Sequence, residues 1–388
     1  MNLTRVSLAL AGAAAVSVIG SAQAPPPPPP FAPVAAKGGL VFVSGILPPP
    51  GDGDVTRQTA RVLDELKARL ERAGTSLDRV VSTSAYLAAP DDFAAMNAVW
   101  KQYWPSSPPA RTTVVARLPV PGARIQVSAV AALPGTERAA VLPPGWPASS
   151  SPLSPAVRAG DVLFLSGQVP RRGRDNTPVT GGIDVQTGAV FENAEAVLKA
   201  AGFGLPDVVS ARVFLTDGSA FERMNAAYRA KFPVDPPARA TVITPLVSPD
   251  LQLEITLVAA RGAARTASLT PNADGTPGRP NPNLSSAIRV GPRLFLSGML
   301  GVLPGNAPDA AAQTAETLSR LERTMNAAGS GWGDVAESVV YVTDMTAAPH
   351  VLRVFSERCG GRLPVGTLVG TGLVSPEGRV EIMLTASK

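Results

Sequence analysis

Three tandem α+β units, each a mixed β-sheet packed by two helices, form the architecture that the sequence predicts. Three observations carry it. The tetrapeptide Pro-Pro-Ala-Arg ends at Arg111 and again at Arg239, each time running into a β-branched stretch. The same step of 128 residues separates Asn97 from Asn225 and Gln58-Thr59 from Gln186-Thr187. A third copy follows at a step of 127, with Gln313-Thr314, Ala328-Gly329 and Thr343-Asp344 answering Gln186-Thr187, Ala201-Gly202 and Thr216-Asp217. Self-similarity at a fixed period marks a repeated structural unit.

Within each unit the elements keep one order. LVFVSG, VLFLSG and RLFLSG are apolar runs ending at Ser44-Gly45, Ser166-Gly167 and Ser297-Gly298, and they read as strands. The stretch TARVLDELKARLERAG has apolar residues at helical spacing and a terminal Gly74 able to cap it. A strand follows (VVSTSAYLA, VVSARVFLT, SVVYVTD), then a second amphipathic helix, marked by FAAMNAVW and FERMNAAY in the first two units. Two closing strands read as a hairpin: ARTTVVARL with RIQVSAVAA in unit one, ARATVITPL with LQLEITLVAA in unit two. Two helices against one sheet make a layered α+β unit. The predicted units span 32–135, 151–264 and 283–388, the last degenerate. The Pro-, Gly- and Ser-rich stretches 136–150 and 265–282 read as linkers.

Composition bounds the function. An apolar fraction of 45% with 17% charged residues suits a chain that buries real cores, so the 40 prolines and 36 glycines mark turns and linkers, not general disorder. The net charge of +5 is scattered, and its one dense run, Arg171-Arg172-Gly173-Arg174, reads as a solvated turn. Residues 1–24 have a basic start, an alanine-rich apolar stretch and small residues before Ala24, the pattern of a cleaved signal peptide. The prolines of 25–31 then form a stiff tether. The expectation is a secreted or periplasmic protein with no stable membrane insertion after cleavage. His350 and Cys359 stand alone, which rules out a Ser-His-Asp triad and any His- or Cys-ligated metal site. Cys359 is expected as a small buried hydrophobe. No phosphate-binding glycine loop or basic-aromatic stripe occurs, so neither a nucleotide cofactor nor a nucleic-acid partner is expected.

The order strand-Ser-Gly, Gln-Thr-helix-Ala-Gly, F-x-x-M-N-x-x-Y, PPAR-x-x-V and Q-L-E-I resembles the RidA/YjgF family of enamine/imine deaminases. The resemblance covers nearly all of the chain after its leader, three times over. It implies a chorismate-mutase-like fold that assembles as a trimer with clefts between neighbouring subunits. Three units in one chain would then make a monomer with internal pseudo-three-fold symmetry, acting on a small-molecule carboxylate without cofactor or metal.

The reaction sets the candidate site. An enamine becomes an imine, water attacks, and ammonia leaves behind a 2-oxo acid. A carboxylate substrate calls for the planar fork of an arginine, and water attack calls for a carboxylate base. Unit two holds both, Arg239 and Glu254, expected to converge in one cleft as the catalytic pair, with the Glu254 carboxylate kept ionised by its neighbour. Arg239, Arg111, Asn225, Ser166, Gln168 and Thr241 are the expected substrate-binding residues. Unit one keeps Arg111 but has Gln126 in place of the carboxylate; unit three keeps Glu381 but has Gly366 in place of the arginine. The Asn97 and Asn225 position becomes Leu352, and the family's N-terminal aromatic maps to Phe31, Leu153 and Leu284. The main expectation is hydrolytic deamination at the unit-two cleft. The alternative is a non-catalytic carboxylate-binding or scaffold protein on the same fold.

Overall fold

The computed structural model describes residues 30–262 and 264–388. The predicted signal peptide and most of the proline tether lie outside the described residues.

Unit one runs as strands Val34–Lys37 and Leu40–Ile46, helix Val55–Arg72, strand Val80–Leu87, helix Asp92–Tyr103 and strands Ala110–Val115 and Ile125–Ala132. Units two and three repeat this order, with helices Ile183–Ala200, Phe221–Lys231, Ala310–Ala327 and Ala348–Arg358. The last two strands of a unit are not a hairpin. Ile125–Ala132 lies between Leu40–Ile46 and Val80–Leu87, antiparallel to both, while Ala110–Val115 runs parallel to Val80–Leu87 at the sheet edge. A parallel neighbour needs a long crossover, and the second helix of the unit provides it. The predicted linkers are also more than spacers. Arg138–Val141 and Arg265–Ser268 are strands that pair antiparallel with Ala156–Ala159 and Ala287–Val290, extending the sheet of the following unit.

The repeated Gln-Thr pair has a structural explanation. Gln58 Oε1 accepts from the Arg124 amide (2.6 Å), Gln186 Oε1 from Gln252 (2.9 Å) and Gln313 Oε1 from Arg379 (2.8 Å). Each side chain is buried and ties the first helix of its unit to the start of the last strand. Cys359 is a correction: it is half-buried at the C-cap of the last helix, outside the fully closed core.

One face of each sheet packs against its two helices, giving a separate core per unit. The other faces meet on a common axis. Phe42, Phe164 and Phe295 gather towards one end of it, and Tyr86, Phe214 and Tyr341 at the other. A strand covered on both sides has no solvent face, which is why Ile125–Ala132 is buried at every position and shows no polar alternation.

Three serines close the ring. Ser166 Oγ accepts from the Arg111 amide (2.9 Å) and donates to the Ser154 carbonyl (2.6 Å). Ser297 does the same for Arg239 (2.8 Å) and Ser285 (2.6 Å), and Ser44 for Gly366 (2.8 Å) and Ala32 (2.6 Å). Unit one thus docks on unit two, two on three, and three back on one, each presenting both halves of a heterologous contact. With the ring satisfied inside one chain, light scattering should report the mass of a single chain at every concentration. A mass that climbs towards three chains on concentration would contradict it.

Candidate active site

Strand alternation decides where each functional side chain goes. Arg239 pairs with Ala211, and Ala211 with Leu257 on the last strand of unit two. Residues opposite one another in a sheet share a face, and Glu254 stands an odd number of positions, three, from Leu257. Arg239 and Glu254 therefore point to opposite sides of their own sheet and cannot form the expected pair. Arg239 turns to the helix side and Glu254 to the side where the units meet.

The structure instead builds each cleft from two units. In the first, Arg111 of unit one faces Glu254 of unit two, whose Oε1 accepts from the Thr113 amide at 3.4 Å. In the second, Arg239 of unit two faces Glu381 of unit three, whose carboxylate accepts from the Thr241 amide. Each arginine is set from behind by an asparagine on the second helix: Arg111 Nη2 donates to Asn97 Oδ1 (2.6 Å) and Arg239 Nη2 to Asn225 Oδ1 (2.7 Å). Each guanidinium also lies over aromatic rings, 5.0 Å from Trp100 for Arg111 and 4.6 Å from Tyr228 for Arg239. Nε and Nη1 of both arginines are buried with no partner among the described residues. A buried guanidinium with unpaired donors calls for an anion such as a carboxylate.

The glycine of each Ser-Gly pair makes room for the acid. A Cβ at Gly167 would collide with Glu254 Oε1, and one at Gly298 with Glu381 Oε1. The first cleft opens into a cavity of about 660 Å³ walled by Phe93, Trp146, Leu153, Gln168 and Val247. Trp146 comes from the stretch read as a linker, and Gly173 in the basic loop leaves space for its ring.

Burial overrides the neighbouring charge in both acids. Glu254 and Glu381 are each pushed up to about 8 by loss of water, against the smaller opposing pull of a backbone N–H and of the facing arginine. Loss of water thus favours the protonated form of Glu254 more than its neighbours favour the carboxylate, against the expectation that the facing arginine would hold it ionised. Burial likewise pulls Arg111 down to about 9, still a cation at pH 7, and lowers Arg239.

The third junction has lost the site. Gln126 of unit one meets unit three at Gly366, so the two substitutions fall in the same cleft. The Phe31 ring packs over Gly366, where a Cβ would strike it, and Ala32 bonds to Leu363 and Pro364.

The predicted residues therefore divide between two clefts. Arg111, Glu254, Ser166 and Gln168 belong to the first; Arg239, Asn225 and Thr241 belong to the second, completed by Glu381. Ser166 has both hydroxyl functions engaged by backbone, and Asn225 positions Arg239, so neither presents its bonded oxygen to a ligand. Gln168 Nε2 donates to the Ser166 carbonyl while its side chain lines the cavity.

A family profile described as Endoribonuclease L-PSP matches residues 21–133, 145–261 and 278–388. The chain belongs to this family, also known through its RidA and RutC members, in three tandem copies. A RutC family protein of Sulfurisphaera tokodaii is 40% identical over 116 residues, 30% of this chain and 93% of its own length. The 3-aminoacrylate deaminase RutC of Acinetobacter baylyi is 34% identical over 119 residues, 31% of this chain and 94% of its own. Among solved structures, a chorismatase shares the fold over 91% of this chain and 99% of its own, with 17% identity and a TM-score of 0.53.

The raised acids have a measurable consequence. The ordinary value is 4.5 and the folded one about 8, so between these the folded chain holds more protons than the unfolded chain. Stability should then fall as pH rises through this window, by about 1.4 kcal/mol per pH unit for each acid. Denaturant titrations from pH 5 to 8 should show a shallower decline for Glu254→Gln. An unchanged slope would mean that Glu254 is ionised when folded.

Proposed function

We propose that the chain hydrolyses reactive enamine or imine carboxylates to 2-oxo acids and ammonia, using the Arg111–Glu254 and Arg239–Glu381 clefts. The observation that supports this most is the pairing across units: each arginine, with Nε and Nη1 unpaired, faces a buried acid whose pKa burial raises. The guanidinium takes the substrate carboxylate through its unpaired donors. The neutral carboxyl donates its proton to the enamine β-carbon, and an iminium forms as the electron pair of nitrogen moves in, leaving the acid as a carboxylate. The resulting carboxylate then accepts a proton from the water that attacks the iminium carbon. Collapse of the tetrahedral adduct breaks the C–N bond, and ammonia leaves. An acid with a value of about 8 can serve both steps near neutral pH.

The apolar walls of the first cleft, Trp146, Leu153 and Val247, suit an imine whose side chain is larger than a methylene. The N-terminal leader pattern supports action outside the cytoplasm.

Paired substitutions test the assignment, with 2-aminoacrylate generated in the assay. Arg111→Lys and Glu254→Gln disable one cleft, so together they should cost no more than either alone. Arg239→Lys with Glu254→Gln disables both, and turnover should fall about a hundredfold. The reverse pattern would restore the within-unit pair. A wild-type chain that binds 2-oxo acids without turnover would be a binding protein instead.

A further inference from the structure

The axis where the three units meet holds a cavity of about 80 Å³ that is separate from the clefts. The Tyr86, Phe214 and Tyr341 rings pack together as a separate apolar cluster further along the strands. Two layers of equivalent positions line the cavity: Ser82, Ser210 and Glu337 in one, Ser84, Arg212 and Val339 in the next. The three-fold repeat is thus broken twice, by one cation from unit two and one acid from unit three. Neither takes part in the proposed deamination.

Arg212 and Glu337 sense one another but make no ion pair among the described residues; burial raises the Glu337 carboxyl against the smaller pull of Arg212, and a cationic partner would favour its ionised form. Arg212 Nη2 donates to Ser84 Oγ at 3.0 Å, and Nη1 makes a longer contact of 3.5 Å with the Tyr86 hydroxyl. Two positions along equivalent strands separate the layers, a backbone rise of roughly 7 Å, and both residues line the void. An interior cation and acid that do not meet need other partners. The cavity has room for several waters or for one solute of a few heavy atoms.

We propose that this axial cavity binds one small α-amino acid per chain, of glycine to serine size, with its carboxylate on Arg212 and its ammonium on Glu337. Lys37 and Arg293 also line the cavity, but Lys37 Nζ donates to the Gly333 carbonyl (2.9 Å) and Arg293 pairs with Asp161 (2.7 Å). A zwitterion is the smallest solute that supplies both remaining groups, Arg212 and Glu337, with an opposite charge. The hydroxyls of Ser82, Ser84, Ser128 and Ser210 surround it as further partners. A simple anion would complete Arg212 alone, and a simple amine Glu337 alone.

Calorimetry on the full chain with glycine, alanine and serine, against acetate and methylamine, tests the assignment. One site per chain is expected for the amino acids, with acetate and methylamine at least tenfold weaker. Arg212→Gln and Glu337→Gln should each weaken glycine at least tenfold. Should either charge variant fail to fold, Ser128→Met decides the matter: it keeps both charges and fills the cavity with the side chain that unit three already carries there at Met383, and it should also abolish binding. Glycine binding must persist in Arg111→Lys combined with Arg239→Lys, which weakens both clefts. Its loss there would place the ligand in the clefts and overturn the axial site. So would glycine binding that survives Arg212→Gln or Ser128→Met, acetate binding as tight as glycine, or a folded wild-type chain that binds none of the amino acids.

Discussion

A β-strand turns successive side chains to opposite faces, and this two-residue period rules the functional geometry of the whole chain. With Arg239 and Glu254 on opposite faces of one sheet, no unit can bring its own arginine to its own acid. Only an adjoining unit can supply the missing half, and only a closed ring lets every unit both give and receive. The serine bonds at Arg111, Arg239 and Gly366 fix the neighbour's strand at the position where that exchange takes place. A glycine beside each serine keeps the space for the side chain of the last strand, an acid at Gly167 and Gly298 and Gln126 at Gly45.

Joining the units in one chain frees the three junctions from identity. In an assembly of identical subunits, a Gly366 or a Gln126 would appear in every cleft and remove them all. Here both substitutions fall in one junction and leave the other two whole. The same freedom places a single Arg212 and a single Glu337 on the axis, where strict symmetry would crowd three like charges together. Burial then sets the chemistry of the intact clefts. Removing water raises Glu254 and Glu381 more than the facing guanidinium lowers them, which yields an acid able to give a proton before it accepts one.

Much of this was legible in the residues. The constant step between Arg111 and Arg239 revealed the repeat, and helical spacing located the helices. What the spacing could not show was register. Reading Ala238–Ile243 and Leu253–Ala260 as a hairpin placed Arg239 beside Glu254, because neighbours in sequence were taken as neighbours in the sheet. The insertion of Ile125–Ala132 between two earlier strands depends on long-range pairing that no local pattern encodes. A signal was nonetheless present: unit one lacks the acid and unit three lacks the arginine. Those losses leave two complete sites only if each arginine takes its acid from the following unit. Trp146 was missed because it lies in a proline-rich stretch with no periodicity, and its role comes from where that stretch crosses the cleft.

Phe31 over Gly366 has a mechanical meaning beyond the loss of a site. Two junctions are spanned by continuous chain, through 136–150 and 265–282, and a short tether keeps the partners at a high effective concentration. Those junctions can tolerate buried arginines and acids that weaken contact, since the chain returns the surfaces to each other. The junction between units three and one has no such tether and must hold by contact alone. There the charged pair is gone, replaced by a phenyl ring on a glycine backbone and a neutral amide. The ring of units is thus latched where the chain does not hold it, and it keeps its reactive groups where the chain does.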